Sequence, residues 1–238
     1  MKLDILAFGA HPDDVELGCG GTIAKEIALG KKVGIIDLTR GELGTRGSVE
    51  IRNRESANAA RILGISVREN LDMKDCFFVN DEVHQLQIVK MIRKYKPEIV
   101  LCNAVEDRHI DHGKGGSLVS DACFLSGLRR IETEVNGEKQ EAWRPKLVYH
   151  YIQWVNIKPD FVVDISDYND KRLEAILAYS SQFYNSESEE PVTVIATKNF
   201  KESLNYRAQD LGRLIGTDYA EGFTVERYLA VNSLSNLM

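Results

Sequence analysis

The strongest constraint on the fold of this chain is an alternation of short buried strands and amphipathic helices over its first 104 residues. Apolar runs with the length of buried strands lie at 3–10, 31–39 and 98–104. Segments with helical apolar spacing lie at 15–29, 49–63 and 81–95. Repeated strand–helix units bury a parallel sheet beneath helices. The sequence therefore predicts an α/β fold, with a Rossmann-like, mostly parallel sheet and helices on both faces.

Beyond about residue 130 the pattern is weaker and predicts a C-terminal elaboration of this sheet. We expect a surface loop at 132–144, strands within 147–154, 161–166 and 220–231, and helices at 167–183 and 199–215. No repeat, low-complexity tract or Pro/Ser-rich linker divides the chain. Residues 1–238 are therefore expected to form a single domain.

Composition and charge exclude several classes of function. The chain has 43% hydrophobic and 28% charged residues, which is typical of an ordered globular protein. Its 30 Lys and Arg against 36 Asp and Glu give a net charge of −6, so no overall basic field is available to hold nucleic acid or an anionic membrane. We therefore expect a small-molecule partner, with no nucleic-acid or membrane partner.

The cysteines and the N-terminus indicate the compartment. The four cysteines include no C-x-x-C pair, which predicts reduced, mostly buried thiols. Asp4 interrupts the apolar stretch that a secretory leader would need, and no apolar run approaches ~18 residues. These observations predict a cytoplasmic protein.

Two polar clusters follow predicted strands and together hold three of the five histidines. The first is Ala10-His11-Pro12-Asp13-Asp14, and the second is Glu106-Asp107-Arg108-His109-Ile110-Asp111-His112. In open α/β sheets, ligands bind beyond the carboxyl ends of the strands, because the loops converge there. We therefore expect the two clusters to form one site.

The residue types in these clusters are those of a catalytic zinc site. His11 and Asp14 lie three residues apart in a turn that Pro12 stiffens, so an imidazole and a carboxylate can converge on one point. One histidine from the second cluster would complete a triad that leaves zinc an open position, where the pKa of a water falls toward ~7. Asp13 is then the natural general base, and the remaining histidine would stabilise an oxyanion.

Other interpretations of the same residues remain open at this point. The first cluster alone is typical of a turn that caps a helix, and the second alone is typical of a solvated loop before glycines 113–116. Two histidines and a carboxylate also describe the facial triad of non-haem Fe(II) oxygenases, which the parallel α/β pattern disfavours. A third possibility is a binding module in which a metal only holds loops together.

The clusters resemble the motifs of a known family, the zinc-dependent N-deacetylases of the LmbE/PIG-L type. Those enzymes are recognised by an AHPDD loop and by a later loop of the form His109-Ile110-Asp111-His112. The resemblance continues through GELGTRG at 41–47, the helix containing Arg52, Ser181-Gln182-Phe183 and residues 219–223. It therefore covers nearly the whole chain.

The resemblance implies Zn²⁺ as cofactor and a role for most residues of the two loops. The implied zinc ligands are His11, Asp14 and His112. Asp13 is implied as general base. A protonated His109, oriented by Asp111, is implied as the oxyanion and proton-transfer partner.

One departure from the broad family points to a subgroup. Much of the family has glutamate directly after the two aspartates, whereas this chain has Val15 there and Glu16 one place later. The variant HPDDVELG resembles the bacterial enzymes that deacetylate N-acetylglucosaminyl malate during bacillithiol synthesis. Members of that subgroup form hexamers, so the resemblance implies a homo-oligomer. A deacetylase of N-acetylglucosamine or chito-oligosaccharides, or an amidase of thiol conjugates, is the alternative.

Arginines are expected to bind the two carboxylates of a malate group, because a guanidinium pairs with a carboxylate through parallel donors. Arg52 and Arg108 are the candidates for this role. Arg46 stands behind them and is equally compatible with an ordinary surface position.

Weaker features receive structural interpretations. Gly18, Gly20 and Gly21 suggest a dinucleotide fingerprint, but the third glycine of that motif is replaced by Ile23, so we expect them to serve close helix–sheet packing. Glu16 is expected to favour a helix N-terminus. Three aromatic residues either line a sugar site or belong to the core or an interface, namely Tyr149, Tyr151 and Trp154. His84 and His150 receive no role.

Overall fold

The computed structural model describes residues 1–236, which contain nine strands and six α-helices. The strands are β1 (Ile5–Gly9), β2 (Val33–Thr39), β3 (Val67–Met73), β4 (Ile99–Cys102), β5 (Glu134–Val135), β6 (Glu138–Lys139), β7 (Leu147–Tyr151), β8 (Phe161–Asp164) and β9 (Ala220–Val225). The helices are α1 (Asp14–Ala28), α2 (Val49–Leu63), α3 (Glu82–Tyr95), α4 (Ile110–Ser126), α5 (Asn169–Leu177) and α6 (Lys198–Ile215). Short 3-10 helices lie at Ser166–Tyr168, Val194–Ala196 and Leu234–Asn236.

Seven of these strands form one mixed sheet in the order β3-β2-β1-β4-β7-β9-β8. The five from β3 to β7 run parallel, whereas β9 is antiparallel to β7 and β8 is antiparallel to β9. The predicted α/β fold with a mostly parallel sheet is confirmed. The C-terminal elaboration consists of β8 and β9 at one edge of the sheet, with α6 against β9 and α5 against α1 and α2.

Both faces of the sheet are covered, because β1 and β2 are buried along their whole length. One apolar cluster joins Phe8 and Ile36 to residues of α3 and α4, such as Ile92 and Val119. The other joins the opposite face of the sheet to α1, α2 and α5. Within residues 1–236, no helix combines the length and apolar character needed to cross a bilayer.

Several predicted elements match closely, and others end sooner than expected. The helix predicted at 49–63 has the same bounds as α2. The strand predicted at 161–166 stops at Asp164, because the Asp164 carboxylate accepts from the Ser166 amide at 2.9 Å and turns the chain. The helix predicted at 167–183 ends at Leu177.

The sequence pattern does not predict β3, since its residues are mostly polar. Arg68 explains how such a strand joins the sheet, because its guanidinium donates to Asp37 at 2.7 and 2.8 Å and to Glu16 at 2.5 Å. The side chains of all three residues are shielded from solvent, and the one guanidinium offsets part of the charge of the two carboxylates. The surface loop expected at 132–144 also differs from the structure, which has the β5–β6 hairpin there.

Helix α4 is the second element that the pattern does not predict, because Gly113, Gly115 and Gly116 favour a loop. A Cβ on Gly116 would lie 2.8 Å from the Asn103 carbonyl oxygen, and one on Gly115 would lie 3.3 Å from the Asn103 side chain. Small residues therefore let the first turns of α4 pack directly on the end of β4. Tertiary packing here outweighs the low helix propensity of glycine.

The glycines of α1 serve close packing, as expected from the sequence. A Cβ on Gly18 would overlap the ring of Tyr151, and one on Gly21 would lie 2.6 Å from Ile165. Tyr151 is fully buried and donates its hydroxyl to the Phe8 carbonyl at 2.8 Å. Helix α1, which starts at Asp14, is thus held tightly against β7.

Candidate active site

The two predicted polar clusters meet at the carboxyl ends of β1 and β4. Residues 10–13 connect β1 to α1, and residues 103–109 connect β4 to α4. Their side chains line a cavity of about 310 Å³, which loop residues 43–46 and 193–195 and helix α6 also border. The site therefore lies where a parallel sheet brings its loops together.

The carboxylate of Asp14 lies between two histidine rings. Its Oδ1 is 3.1 Å from His112 Nε2, and its Oδ2 is 3.5 Å from His11 Nδ1. Two amides orient this carboxylate, since Asn103 donates to Oδ2 at 3.0 Å and Gln153 donates to Oδ1 at 2.9 Å. A tetrahedral zinc with bonds of ~2.0–2.1 Å separates its ligand atoms by ~3.3 Å, which is close to both distances between Asp14 and the rings. Among residues 1–236, the groups whose ligand atoms all lie within 4.8 Å of one another are His11, His109 and His112 and, separately, His11, Asp75 and Asp111.

The other nitrogen of each ring faces further carboxylates. His11 Nε2 lies 3.1 Å from Asp75 Oδ1 and 3.3 Å from Asp111 Oδ2, and His112 Nδ1 bonds to Asp107 Oδ2. Carboxylates in this position fix the tautomer and direction of metal-ligating histidines. The arrangement therefore leaves His11 Nδ1 and His112 Nε2 facing the two oxygens of the Asp14 carboxylate.

The surrounding acids give the two rings a negatively charged environment. Burial opposes the charge of both rings, but bonds to Asp111, Asp14 and Asp75 hold the pKa of His11 well above its usual value. At His112, burial lowers the pKa, but the Asp14 carboxylate outweighs this effect and raises the pKa to about 9. Surroundings that hold protons on these rings also suit a divalent cation, which competes for the same nitrogens.

Asp13 is a buried carboxylate with an unusual backbone. Its φ is 113°, in the left-handed region, and it precedes the first residue of α1. Burial raises the pKa of Asp13 to about 7, although Arg52 lowers it and Asp14 raises it further. The Arg52 guanidinium lies 3.4 Å from its Oδ2. A carboxyl group in this environment can both accept and return a proton near neutral pH.

His109 caps α4 and lies beside the other two rings. Its centroid is 4.6 Å from that of His11 and 5.2 Å from that of His112. Its Nδ1 accepts the Asp111 backbone N–H at 3.3 Å, so the ring proton of the neutral form is on Nε2. Burial and the charges of His11 and His112 lower the pKa of His109, which favours a neutral ring instead of the protonated one expected from the sequence.

Asp111 therefore orients His109 through its backbone. Its carboxylate instead meets His11, accepts the Cys76 N–H at 2.8 Å and pairs with Lys114 at 2.6 Å. Burial is outweighed by the bonds to His11 and Lys114, which hold the pKa of Asp111 well below its usual range. The side chain and the backbone of this residue serve two different histidines.

The three arginines singled out from the sequence have different surroundings. Arg52 donates to the Pro12 carbonyl at 2.6 Å and to the Gly41 carbonyl at 3.2 Å, so it holds the first loop. Arg46 is buried and donates to the Ser181 carbonyl at 2.7 Å, which ties residues 43–46 to the segment after α5. Arg108 is exposed and lies over the ring of Trp154, with 4.7 Å between its Cζ and the ring centroid.

Aromatic and basic residues from the C-terminal part of the chain form the rest of the cavity wall. Trp154 stacks on Phe200, with 5.4 Å between centroids, and its carbonyl accepts from Arg207 at 2.6 Å. Burial lowers the pKa of Arg207. Of the three aromatics considered from the sequence, Trp154 lines the cavity, whereas Tyr151 belongs to the core.

Several residues of the site have no signal in the sequence. They are Asp75, Asn103, Gln153 and Arg207. None lies in a recognisable motif, although Asn103 and Gln153 do lie near the ends of the strands predicted at 98–104 and within 147–154. Asp107 belongs to the second cluster, but its contact with His112 depends on how the loop folds. A search for polar residues at every strand end would have found two of the five.

Comparison with known proteins identifies the family. Residues 6–123 match the family model described as PIG-L, GlcNAc-PI de-N-acetylase. A diacetylchitobiose deacetylase from Thermococcus kodakarensis is 32% identical over 236 residues, which cover 92% of this chain and 81% of the relative. The chain belongs to the PIG-L family. Its members include N-deacetylases, hydrolases that cleave an amide C–N bond, and this chain is such an enzyme.

Solved structures agree with the PIG-L assignment. The conserved protein TT1542 from Thermus thermophilus superposes with a TM-score of 0.86 at 35% identity, covering 97% of this chain and 98% of that one. The N,N'-diacetylchitobiose deacetylase from Pyrococcus horikoshii, complexed with its inhibitor MPG, has a TM-score of 0.80 at 25% identity, covering 98% and 88%. The similarity thus spans both the metal-site loops and the C-terminal wall.

Proposed function

We propose that this PIG-L deacetylase is a zinc-dependent enzyme that removes the acetyl group from N-acetylglucosaminyl malate, giving glucosaminyl malate and acetate. The observation that carries the proposal is the position of the Asp14 carboxylate between His11 and His112 at the base of the cavity. The family supports the amide hydrolysis, and the HPDDVELG variant supports the malate glycoside. The same resemblance supports a homo-oligomer, expected to be a hexamer, and the cytoplasmic location expected from the sequence is part of the proposal.

The donor set fits zinc. His11 Nδ1, one Asp14 oxygen and His112 Nε2 would hold it, while the carboxylates of Asp75 and Asp107 fix the two rings from behind. When bound there, zinc would polarise the acetamide carbonyl and lower the pKa of a bound water toward ~7, which makes hydroxide available at neutral pH. Two nitrogens and one oxygen are also a common ligand set for catalytic zinc.

Asp13 moves the proton. Its carboxylate is next to the proposed ligand Asp14, yet its nearest charged partner is Arg52, so it is free to serve as a base. It takes a proton from the attacking water and returns it to the nitrogen of the leaving amine, so the C–N bond breaks with no net change in protons on the enzyme. Arg52 keeps this carboxylate inside the cavity through its bonds to Pro12 and Gly41.

His109 stabilises the oxygen that becomes negative as water attacks the carbonyl carbon. Since its Nδ1 accepts the Asp111 N–H, its Nε2–H is available to donate to that oxygen. The ring lines the cavity beside the metal-site histidines, which is where the acetamide must lie. A fixed donor of this kind stabilises the transition state more than the ground state.

The malate group is assigned to the arginines of the cavity. Arg108 projects over Trp154 and presents its guanidinium to the solvent-facing part of the cavity. Arg52 also lines it, but two carbonyls and Asp13 already accept from its Nη atoms, so it contributes through its remaining donors. Trp154 and Phe200, which also line the cavity, are proposed to contact the sugar ring.

A second candidate is supported by the named relative, which is a diacetylchitobiose deacetylase. The same metal-site residues would act on the acetamide of an N-acetylglucosamine unit, with a second sugar in place of malate. The two substrates differ in charge, so the arginines distinguish them.

The experiment is acetate release by purified protein from three substrates at equal concentration. These are N-acetylglucosaminyl malate, N-acetylglucosamine and diacetylchitobiose, each with chelator and with zinc added back. Zinc-dependent release that is fastest from the malate glycoside is the expected result. If acetate is released fastest from diacetylchitobiose, that compound replaces the malate glycoside as the proposed substrate. If release does not respond to chelator or to zinc, the proposed metal dependence is wrong. Sedimentation of the same sample measures the assembly.

A further inference from the structure

His150 is a buried histidine that the mechanism does not use. It lies on β7 with 4% of its surface exposed. Its Nδ1 is 2.8 Å from the Asn103 carbonyl oxygen, and its Nε2 is 2.9 Å from the Glu226 carboxylate, just after β9. A carbonyl oxygen can only accept, so Nδ1 must donate to it. The ring therefore connects the end of the C-terminal strand to the first residue after β4.

A nucleophilic role for this group is excluded by access. Cys102 Sγ lies 3.3 Å from His150 Nδ1, so Cys102, His150 and Glu226 form a row like that of a hydrolase triad. Cys102, however, is fully buried within β4. A substrate therefore cannot reach the Cys102 sulfur. Any role of these three side chains must come from their contacts with neighbouring residues of the protein.

What lies next to it is Asn103, a fully buried residue whose side chain makes three bonds. Its Oδ1 accepts the Ala10 N–H at 2.9 Å, and its Nδ2 donates to Asp14 Oδ2 at 3.0 Å and to Gln153 Oε1 at 2.9 Å. Gln153 in turn donates to the other oxygen of Asp14. The direction of the Asn103 side chain thus decides how the Asp14 carboxylate is presented to the two histidine rings.

We propose that His150 is a positioning residue that fixes the backbone of Asn103, and that Asn103 thereby holds Asp14 in the orientation needed to bind the metal. This inference rests on the metal site proposed above. Asn103 is the first residue beyond β4, where the backbone leaves the hydrogen-bonded ladder, so an additional bond to its carbonyl sets its peptide plane. Gly116 of α4 leaves room for this contact, since a Cβ there would lie 3.3 Å from His150 Nδ1.

The test uses two substitutions that each preserve one half of the ring. H150N places an amide donor near the position of Nδ1 and retains the bond to Asn103, whereas H150Q reaches toward Glu226 and loses it. H84Q, at a half-buried histidine on α3 that lies outside the cavity, is the control. The Zn²⁺ dissociation constant is measured by competition with a chromogenic chelator, which needs no substrate. Turnover of an acetamide substrate then gives kcat and KM separately.

We expect H150Q to weaken Zn²⁺ binding by ~10–100-fold and to lower kcat with little change in KM, because an outer partner of a ligand is lost. H150N should remain within ~threefold of the wild type in both quantities. Equal losses in the two variants, or none in H150Q, would overturn the proposal. If circular dichroism shows that H150Q is unfolded, N103A takes its place, and unchanged Zn²⁺ affinity in N103A would overturn it.

The two proposals fail in different ways. A wild type that binds Zn²⁺ but releases no acetate from any acetamide contradicts the proposed function alone. A normal enzyme in which H150Q and N103A bind Zn²⁺ as the wild type does contradicts only the role of His150.

Discussion

The two ends of the cavity are built differently. The inner end, defined by His11, Asp13, Asp14, His109 and His112, is buried or half-buried and lies on the loops and first helical turns that follow β1 and β4. The outer end, defined by Arg108, Trp154, Val194 and Arg207, comes from longer loops and α6, and Arg108 and Val194 are exposed.

The difference shows that side-chain positions are fixed more strictly at the inner end than at the outer end. At the inner end, the single carboxylate of Asp14 accepts three hydrogen bonds, from the backbone N–H of His11 and from the side-chain amides of Asn103 and Gln153. A small displacement of this carboxylate therefore breaks several bonds at once. At the outer end, Arg108 has a ring face beneath it and solvent above. We therefore expect changes at the inner end to affect kcat and metal binding, and changes at the outer end to affect KM and substrate choice.

The largest effect should follow removal of the metal from the inner end. A chelator is expected to reduce acetate release at least ~10³-fold, since metal stabilisation of the transition state amounts to several kcal/mol. Zn²⁺ added back in slight excess should restore the rate and raise the melting temperature, because a ligand that binds only the folded state stabilises it. Full activity after exhaustive chelation would contradict a catalytic metal.

D13N should separate catalysis from binding within the inner end. The amide cannot accept and return the proton, so kcat should fall at least ~100-fold, while Zn²⁺ affinity stays within ~threefold. Asparagine also tolerates the left-handed backbone of this position. D210N, at an exposed aspartate of α6, is the matched control. An active D13N enzyme would require another general base.

R108Q should weaken substrate binding at the outer end without changing the residues of the inner end. Loss of a charged hydrogen bond of ~1.5 kcal/mol or more predicts a KM for N-acetylglucosaminyl malate that is at least ~10-fold higher, with kcat and Zn²⁺ affinity unchanged. The KM for N-acetylglucosamine should not move. R130Q, at an exposed arginine after α4, serves as control. A fall in kcat without a change in KM would reverse the division between the two ends.

G18A and G20A test how firmly α1 is held behind Asp14. A Cβ at Gly18 overlaps the Tyr151 ring, so G18A should lower the free energy of unfolding by ~1–3 kcal/mol. At Gly20 the nearest neighbour is the Arg172 side chain at 3.5 Å, an ordinary contact, so G20A should be close to neutral. Urea unfolding measures both, and equal stabilities would show that α1 can shift away from β7.

The last effect expected is a pH dependence of stability from His150. Burial opposes its charge, but Cys102, Glu226 and the Asn103 carbonyl raise the pKa of His150 to about 11. A raised pKa stabilises the fold fully below the unfolded value of ~6.5, and this contribution is lost as pH rises toward 11. The stability difference between wild type and H150N should therefore shrink between pH 7 and pH 10 in urea titrations. A constant difference would mean that the folded ring is neutral.

The inner end was largely predictable because its residues lie close together in sequence. His11, Asp13 and Asp14 occupy one turn, and His109 to His112 occupy another, so strand-end topology alone brings them to one edge of the sheet. The structure adds which atoms face each other. Asp111 illustrates the limit, since its backbone orients His109 while its carboxylate meets His11.

The elements that sequence reasoning missed depend on contacts between distant residues. Strand β3 is polar because Arg68 pairs with Asp37 and Glu16, and a local pattern shows only three charges. Helix α4 begins with glycines because the end of β4 lies against it. Arg207 reaches the outer end from α6, more than 50 residues after Trp154, and no spacing rule connects the two.

The backbone of Asp13 has a consequence for how this enzyme can change over generations. At a φ of 113° only glycine, asparagine and aspartate are readily accommodated. Asparagine and glycine are each one nucleotide away from an aspartate codon, and neither can shuttle a proton. On the roles proposed above, a single point mutation would leave a folded, metal-binding protein without catalysis, so lineages that lose the reaction are expected to keep the scaffold as an inactive binding protein.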